Sequence, residues 1–149
     1  MFEIELKNPD EISIKTKERS IDINIERSTI SAGLSVGAIS GAGEFEIGDA
    51  MITAVAVGSG SVMYRVELYG ITVGVIGLNV KIEELDDLGP IDILGTSDSK
   101  VAGVIEPKII IPMGSMDYSE LKASIIHEKK LKIKNASSLP PITEIYKLD

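Results

Sequence analysis

The chain has 149 residues, a net charge of −8 and no cysteine. That length suits a single domain spanning residues 1–149, and the missing thiols exclude disulfides and thiolate metal sites. The acidic balance argues against nucleic-acid binding, because a phosphate backbone would be repelled. Hydrophobic residues make up 44% and aromatics only 4%, so the core must rest on aliphatic side chains, and the frequent Ile and Val favour strands.

The first half reads as strands. "FEIEL" alternates from residue 2, "EISIKTK" puts Ile12 and Ile14 on one face, and "SIDINIE" repeats the pattern with Ile21, Ile23 and Ile25. Such alternation marks half-buried antiparallel strands. "STISAGLSVGAIS" (28–40) is small-residue rich and implies close packing or a tight bend. "EFEI" and "AMITAVAV" flank a Gly48-Asp49 turn, "GSGS" (58–61) closes a hairpin, and "VMYRVELY" joins "GITVGVIG" across Gly70. An antiparallel meander is expected.

The second half mixes element types. "KIEELDDLGP" (81–90) reads as a short helical turn stopped by Gly89 and Pro90, and "IDILGT" as a short strand. Ser97 or Asp98 can cap a helix over "SKVAGVIE", which Pro107 ends. "KIIIPM" is apolar throughout, as a strand covered on both faces should be. Asp117 and Glu120 have capping-box spacing, which predicts a helix over "YSELKASIIHE" (118–128), with "LKIK" and "ITEIYKL" as closing strands. The expected class is α/β (α+β): a meander followed by β/α units.

Several residues invite a catalytic reading. Glu44 and Glu46, in "GAGEFEIGDA" (41–50), would share a strand face roughly 6.5–7 Å apart. That is near the spacing of some two-carboxylate hydrolases. The alternation explains them equally as a solvent face, with Phe45 and Ile47 turned inward. "GSGS" lacks the Gly-Lys-Ser/Thr ending of a phosphate loop. The one histidine, His127, falls at the end of the predicted helix, where a charge suits the dipole. A catalytic zinc site usually takes three protein ligands, mostly nitrogen or sulfur, and one imidazole without thiols cannot supply them. "HEKKLKIK" (127–134) is the one basic run and reads as solvated lysines on a strand. No run approaches a membrane span, and "MFEIELKNPDE" lacks a signal pattern, so a cytoplasmic protein without membrane contact is expected.

From "GAISGAGEFEIGDAMITAV" onward, four segments resemble the metallo-β-lactamase superfamily, closest to the zinc-dependent hydrolases related to ascorbate-phosphate lactonase. They are "GAGEFEIGD" (41–49), "VMYRVELYGITVGVIG", "EELDDLGPIDIL" and "IEPKIIIPM", in the family's order and spacing over roughly residues 38–115. The resemblance implies a shortened αββα sandwich of two mixed sheets with helices outside. It also implies an active site that this chain has lost. The family's H-x-H-x-D-H motif has no counterpart, Leu78 stands where a bridging aspartate is expected, and Gly114 stands where "P-M-H" ends in a ligand histidine.

No residue therefore inherits a catalytic, cofactor-binding or metal-binding role. The expected function is that of a degenerate, metal-free structural or interaction protein. A small-molecule binding module is the alternative, using the former cleft at Asn79, Asp98 and Ser115, and a hydrolase with an atypical metal site is a further one. Family members usually run well beyond this length, so a missing helix would uncover apolar sheet, and a homo-oligomer, most simply a dimer, is expected to cover it.

Overall fold

Residues 1–32 and 39–148 are described in the computed structural model. Their alternating stretches build two sheets. The first sheet comprises β1 (Phe2–Asn8), β2 (Glu11–Lys15), β3 (Ser20–Asn24), β4 (Thr29–Ser31), β5 (Ile39–Ser40) and β13 (Leu131–Ile133), in the order β13-β1-β2-β3-β4-β5. Each neighbouring pair is antiparallel.

The second sheet comprises β6 (Gly43–Ile47), β7 (Ala50–Ala56), β8 (Val62–Leu68), β9 (Ile71–Ile76), β10 (Ile93–Thr96), β11 (Ile109–Pro112), β12 (Ser124–Glu128) and β14 (Glu144–Leu148). Its order is β12-β14-β11-β10-β9-β8-β7-β6. It is antiparallel from β6 to β9 and parallel from β9 through β10, β11 and β14 to β12. The expected first-half meander is thus divided, with β1–β5 in the first sheet and β6–β9 sharing the second sheet with the β/α units. Tyr69 and Gly70 both take positive φ at the β8–β9 turn, the geometry a tight two-residue hairpin requires.

The main core lies between the sheets. Phe2, Ile4, Ile12, Ile14, Ile21 and Ile23 face Ile52, Tyr64, Val66, Val73, Ile93 and Ile111 across it. Each fully buried aliphatic side chain contributes about 1.5–3 kcal/mol. The other face of the second sheet is covered by a 3-10 turn (Ile82–Asp87) and by α1 (Ser99–Ile105), which bury Leu85, Val101 and Ala102 against Met63, Ile76, Leu94 and Ile110. That is why β11 is apolar throughout: Ile109 and Ile111 face one core, and Ile110 the other.

The outer face of the first sheet departs from the expected sandwich. It carries Glu3, Glu5, Lys7, Glu11, Ser13, Lys15, Asp22 and Asn24, joined by ion pairs such as Lys7–Asp22 (3.1 Å) and Lys15–Glu5. The described residues are 48% strand and 11% helix, and of four αββα layers they supply three. The apolar face that a missing helix was expected to uncover is absent here, because strict alternation turned each of these strands' polar residues outward.

The predicted helix over 118–128 is also corrected. Asp117 Oδ1 accepts hydrogen bonds from Ser119 N (3.0 Å) and Ser119 Oγ (2.7 Å), closing an Asx turn rather than a capping box. The chain then turns again and Ser124–Glu128 pair in parallel with β14. His127 is thus an exposed strand residue, not a helix C-terminal one. Elsewhere Asp98 caps α1 as one of two expected candidates, accepting from Lys100 N at 2.9 Å. Part of the "STISAGLSVGAIS" stretch, residues 33–38, lies outside the described residues.

Candidate functional site

Three adjacent parallel strands, β9, β10 and β11, end on the same rim of the sandwich. The loops leaving them carry residues 77–79, 97–98 and 113–115, and strand carboxyl ends of this kind are where such folds place ligands. Buried Thr96 organises the rim: its carbonyl accepts from Met113 N (2.9 Å) and its Oγ1 from Asp98 N (3.1 Å).

The space in front of the rim is filled by the chain's own N-terminal turns. Gly114 N donates to the Pro9 carbonyl at 2.7 Å, and Ile25 N donates to the Asp10 carbonyl at 2.9 Å, locking the β1–β2 turn to the end of β11 and to the residue that follows β3. Asn8 Oδ1 accepts from Asp10 N at 2.9 Å and shapes that turn. Gly114 takes φ 56°, and a Cβ there would sit 3.6 Å from Ser97 Cβ and 3.7 Å from Asp10 Oδ1. A Cβ on Gly77 would meet Ile25 Cβ at 3.5 Å. Thus the turn after β1 and the strand end after β3 rest directly on the ends of β9 and β11.

The candidate cleft residues sit on the loops of this rim. Asn79 is exposed, with φ 65°, Asp98 is half-buried and committed to capping α1, and Ser115 is exposed. None of the three lines the cleft that remains here, about 340 Å³ between the β1–β2 turn and the ends of β11 and β14. Leu6, Asn8, Pro9, Gly114, Tyr118 and Lys147 line it instead, with Lys147 Nζ 5.9 Å from the Tyr118 ring centroid. Sequence reasoning missed Asn8 and Lys147 because β1 and β14 reach this rim only through long-range pairing.

The donor set does not fit a zinc ion. The strand ends present Gly77, Leu78, Asn79, Ser97, Asp98 and Gly114, with one carboxylate already used by α1, and the β1–β2 turn adds the Asp10 carboxylate beside Gly114. Among the described residues no three His, Cys, Asp or Glu side chains are grouped to hold a metal. His127, on edge strand β12, is registered with Lys147 at this end of the sheet, as a single imidazole. Glu44 and Glu46 are exposed on β6 while Phe45 and Ile47 pack on the core, as the solvent-face reading expects. Among the described residues no helix is long and apolar enough to cross a membrane.

Two facing sheets, with parallel strand ends gathered on one rim and a helix on the far side, form an architecture also found in the metallo-β-lactamase superfamily. The chain is similar in structure to a Thermotoga maritima protein assigned to the Zn-dependent hydrolases of that superfamily. The TM-score is 0.70 at 14% identity, over 99% of this chain and 98% of that one, so the likeness runs end to end in both. No protein-family model matches the sequence, and neither does any curated protein.

Proposed function

We propose that this chain is a non-catalytic, cytoplasmic protein on a metallo-β-lactamase fold, acting as a homo-oligomeric structural or interaction protein. One observation carries the reading. The rim where a metal-activated hydroxide would be held presents Leu78 and Gly114, and the Pro9–Asp10 turn is hydrogen-bonded across it. A zinc-bound hydroxide needs three donor side chains and an open fourth position. This rim offers neither. The test is metal content by elemental mass spectrometry on untagged protein offered zinc, manganese and iron, then dialysed. Metal at one equivalent or more would sink the reading and revive the hydrolase.

A second reading rests on the remaining cleft. Its floor is apolar, and Lys147 and Asn8 bring N–H donors to its wall, which suits a small organic carboxylate. A thermal-shift screen of such acids, with Lys147→Met as the control, separates this reading from the first.

A further inference from the structure

Two lysines of this chain, Lys15 and Lys147, are half-buried, and the others are exposed. Lys15 is paired with Glu5, whereas Lys147 is in no ion pair among the described residues. Taking a cation out of water is costly unless an anion or acceptors compensate it. Lys147 is held instead over the Tyr118 ring, with Nζ 5.9 Å from the centroid. That cation–π contact steadies the ammonium and leaves its N–H groups available to an acceptor.

The cleft that Lys147 lines, of about 340 Å³, complements that charge. Asn8 Oδ1 is occupied by Asp10 N at 2.9 Å, so the amide N–H groups are what this side chain has left to offer. Although the chain has 23 acidic residues, no Asp or Glu lines the cleft among the described residues. Its remaining wall is mostly apolar, with Leu6, Pro9, Pro112, Met116 and Leu148. We propose that the cleft takes a monocarboxylic acid with an apolar tail, the carboxylate on Lys147 and Asn8 and the tail against Leu6, Met116 and Leu148. The proposal rests on the small-carboxylate reading above and narrows it to a single negative charge. Lys147 is the one cation in the lining. Asp10 Oδ1 stands 3.7 Å from where a Cβ on the lining Gly114 would lie. The chain carries −8 at pH 7 with His127, the strand neighbour of Lys147, neutral. A second carboxylate on the ligand would meet no cation and be repelled.

Titration calorimetry of the full chain at pH 7 with three ligands of equal length, hexanoate, adipate and 1-hexanol, tests the inference. Hexanoate is expected to bind, and adipate and 1-hexanol to bind about tenfold more weakly or worse, the one for its second charge and the other for lacking any. Lys147→Met is expected to weaken hexanoate about tenfold and leave 1-hexanol unchanged, and Lys147→Arg, which keeps the charge, to retain most of the affinity. The comparison of ligands on the wild type carries the test should Lys147→Met unfold. Adipate bound as tightly as hexanoate overturns the single-charge inference while the carboxylate reading stands. Hexanoate bound no tighter than 1-hexanol, hexanoate unaffected by Lys147→Met, or no binding of either acid overturns both.

Discussion

Gly114 occupies the position where the resemblant family ends "P-M-H", and its backbone makes a prediction with a definite sign. Its φ of 56° lies in the left-handed region, whereas the nearest atoms to an added Cβ are at 3.6 and 3.7 Å, ordinary contact distances. Sterics around the side chain therefore contribute little, and the backbone decides. A left-handed L-residue costs roughly 1–2 kcal/mol. Replacing glycine by alanine also removes unfolded-state entropy worth about 0.4–1 kcal/mol. The difference leaves Gly114→Ala destabilised by about 1 kcal/mol, or about 3 °C in Tm for a chain of this size. Gly114→Asn, which tolerates this region better, should lose less. Gly114→His should lose about as much as alanine and retain no stoichiometric zinc, because one imidazole beside Leu78 is not a three-ligand set. Thermal melts of the three variants, with metal analysis of the third, decide it. A rise in Tm for Gly114→Ala would refute the left-handed turn, and zinc held by Gly114→His would refute the argument from the donor set.

Three further outcomes are expected. Gly74, in the middle of β9, lies under Ile91, whose Cδ1 would be 2.4 Å from an added Cβ. Gly74→Ala should cost about 1–3 kcal/mol by overpacking, and Ile91→Val should recover part of it in a double-mutant cycle read by urea unfolding; additive effects would contradict the contact. Tyr64 is fully buried with no partner for its hydroxyl among the described residues, and burial pushes its pKa up to about 12. Tyr64→Phe should raise stability by about 1 kcal/mol at neutral pH. The raised pKa means that wild type loses stability as pH climbs from 10 toward 12, and the variant should lose less, which alkaline denaturation measures. Asp22 is pushed up by burial but pulled further down by hydrogen bonds involving Ser13, Lys7 and Ser20. Its contribution is present above its ordinary pKa of 3.8 and lost as pH falls through the lower folded value, so Asp22→Asn should flatten the acid limb of stability below that pH. An unchanged acid limb would contradict the network.

Much of the fold is legible locally. Alternation in "EISIK" and "SIDIN" sets both the strands and which residues face the core, since a period of two leaves one register that buries every isoleucine. The Gly48 and Gly70 turns, the 3-10 turn and α1 follow from glycine, proline and capping positions. That Leu78 and Gly114 offer no donor is equally a matter of sequence, because a side chain without a lone pair cannot ligate wherever it lies.

Tertiary structure decided the rest. "ASIIHE" satisfies a helical spacing locally, yet five cross-strand partners on β14, from Ser124–Glu144 to Leu148–Glu128, outweigh that preference. "LKIK" could have joined either sheet; Phe2–Ile133 pairing takes it to the first. The same long-range pairing brings Pro9 to Gly114 and closes the rim. Residues more than a hundred positions apart meet only when sheets form, and no local pattern encodes that meeting.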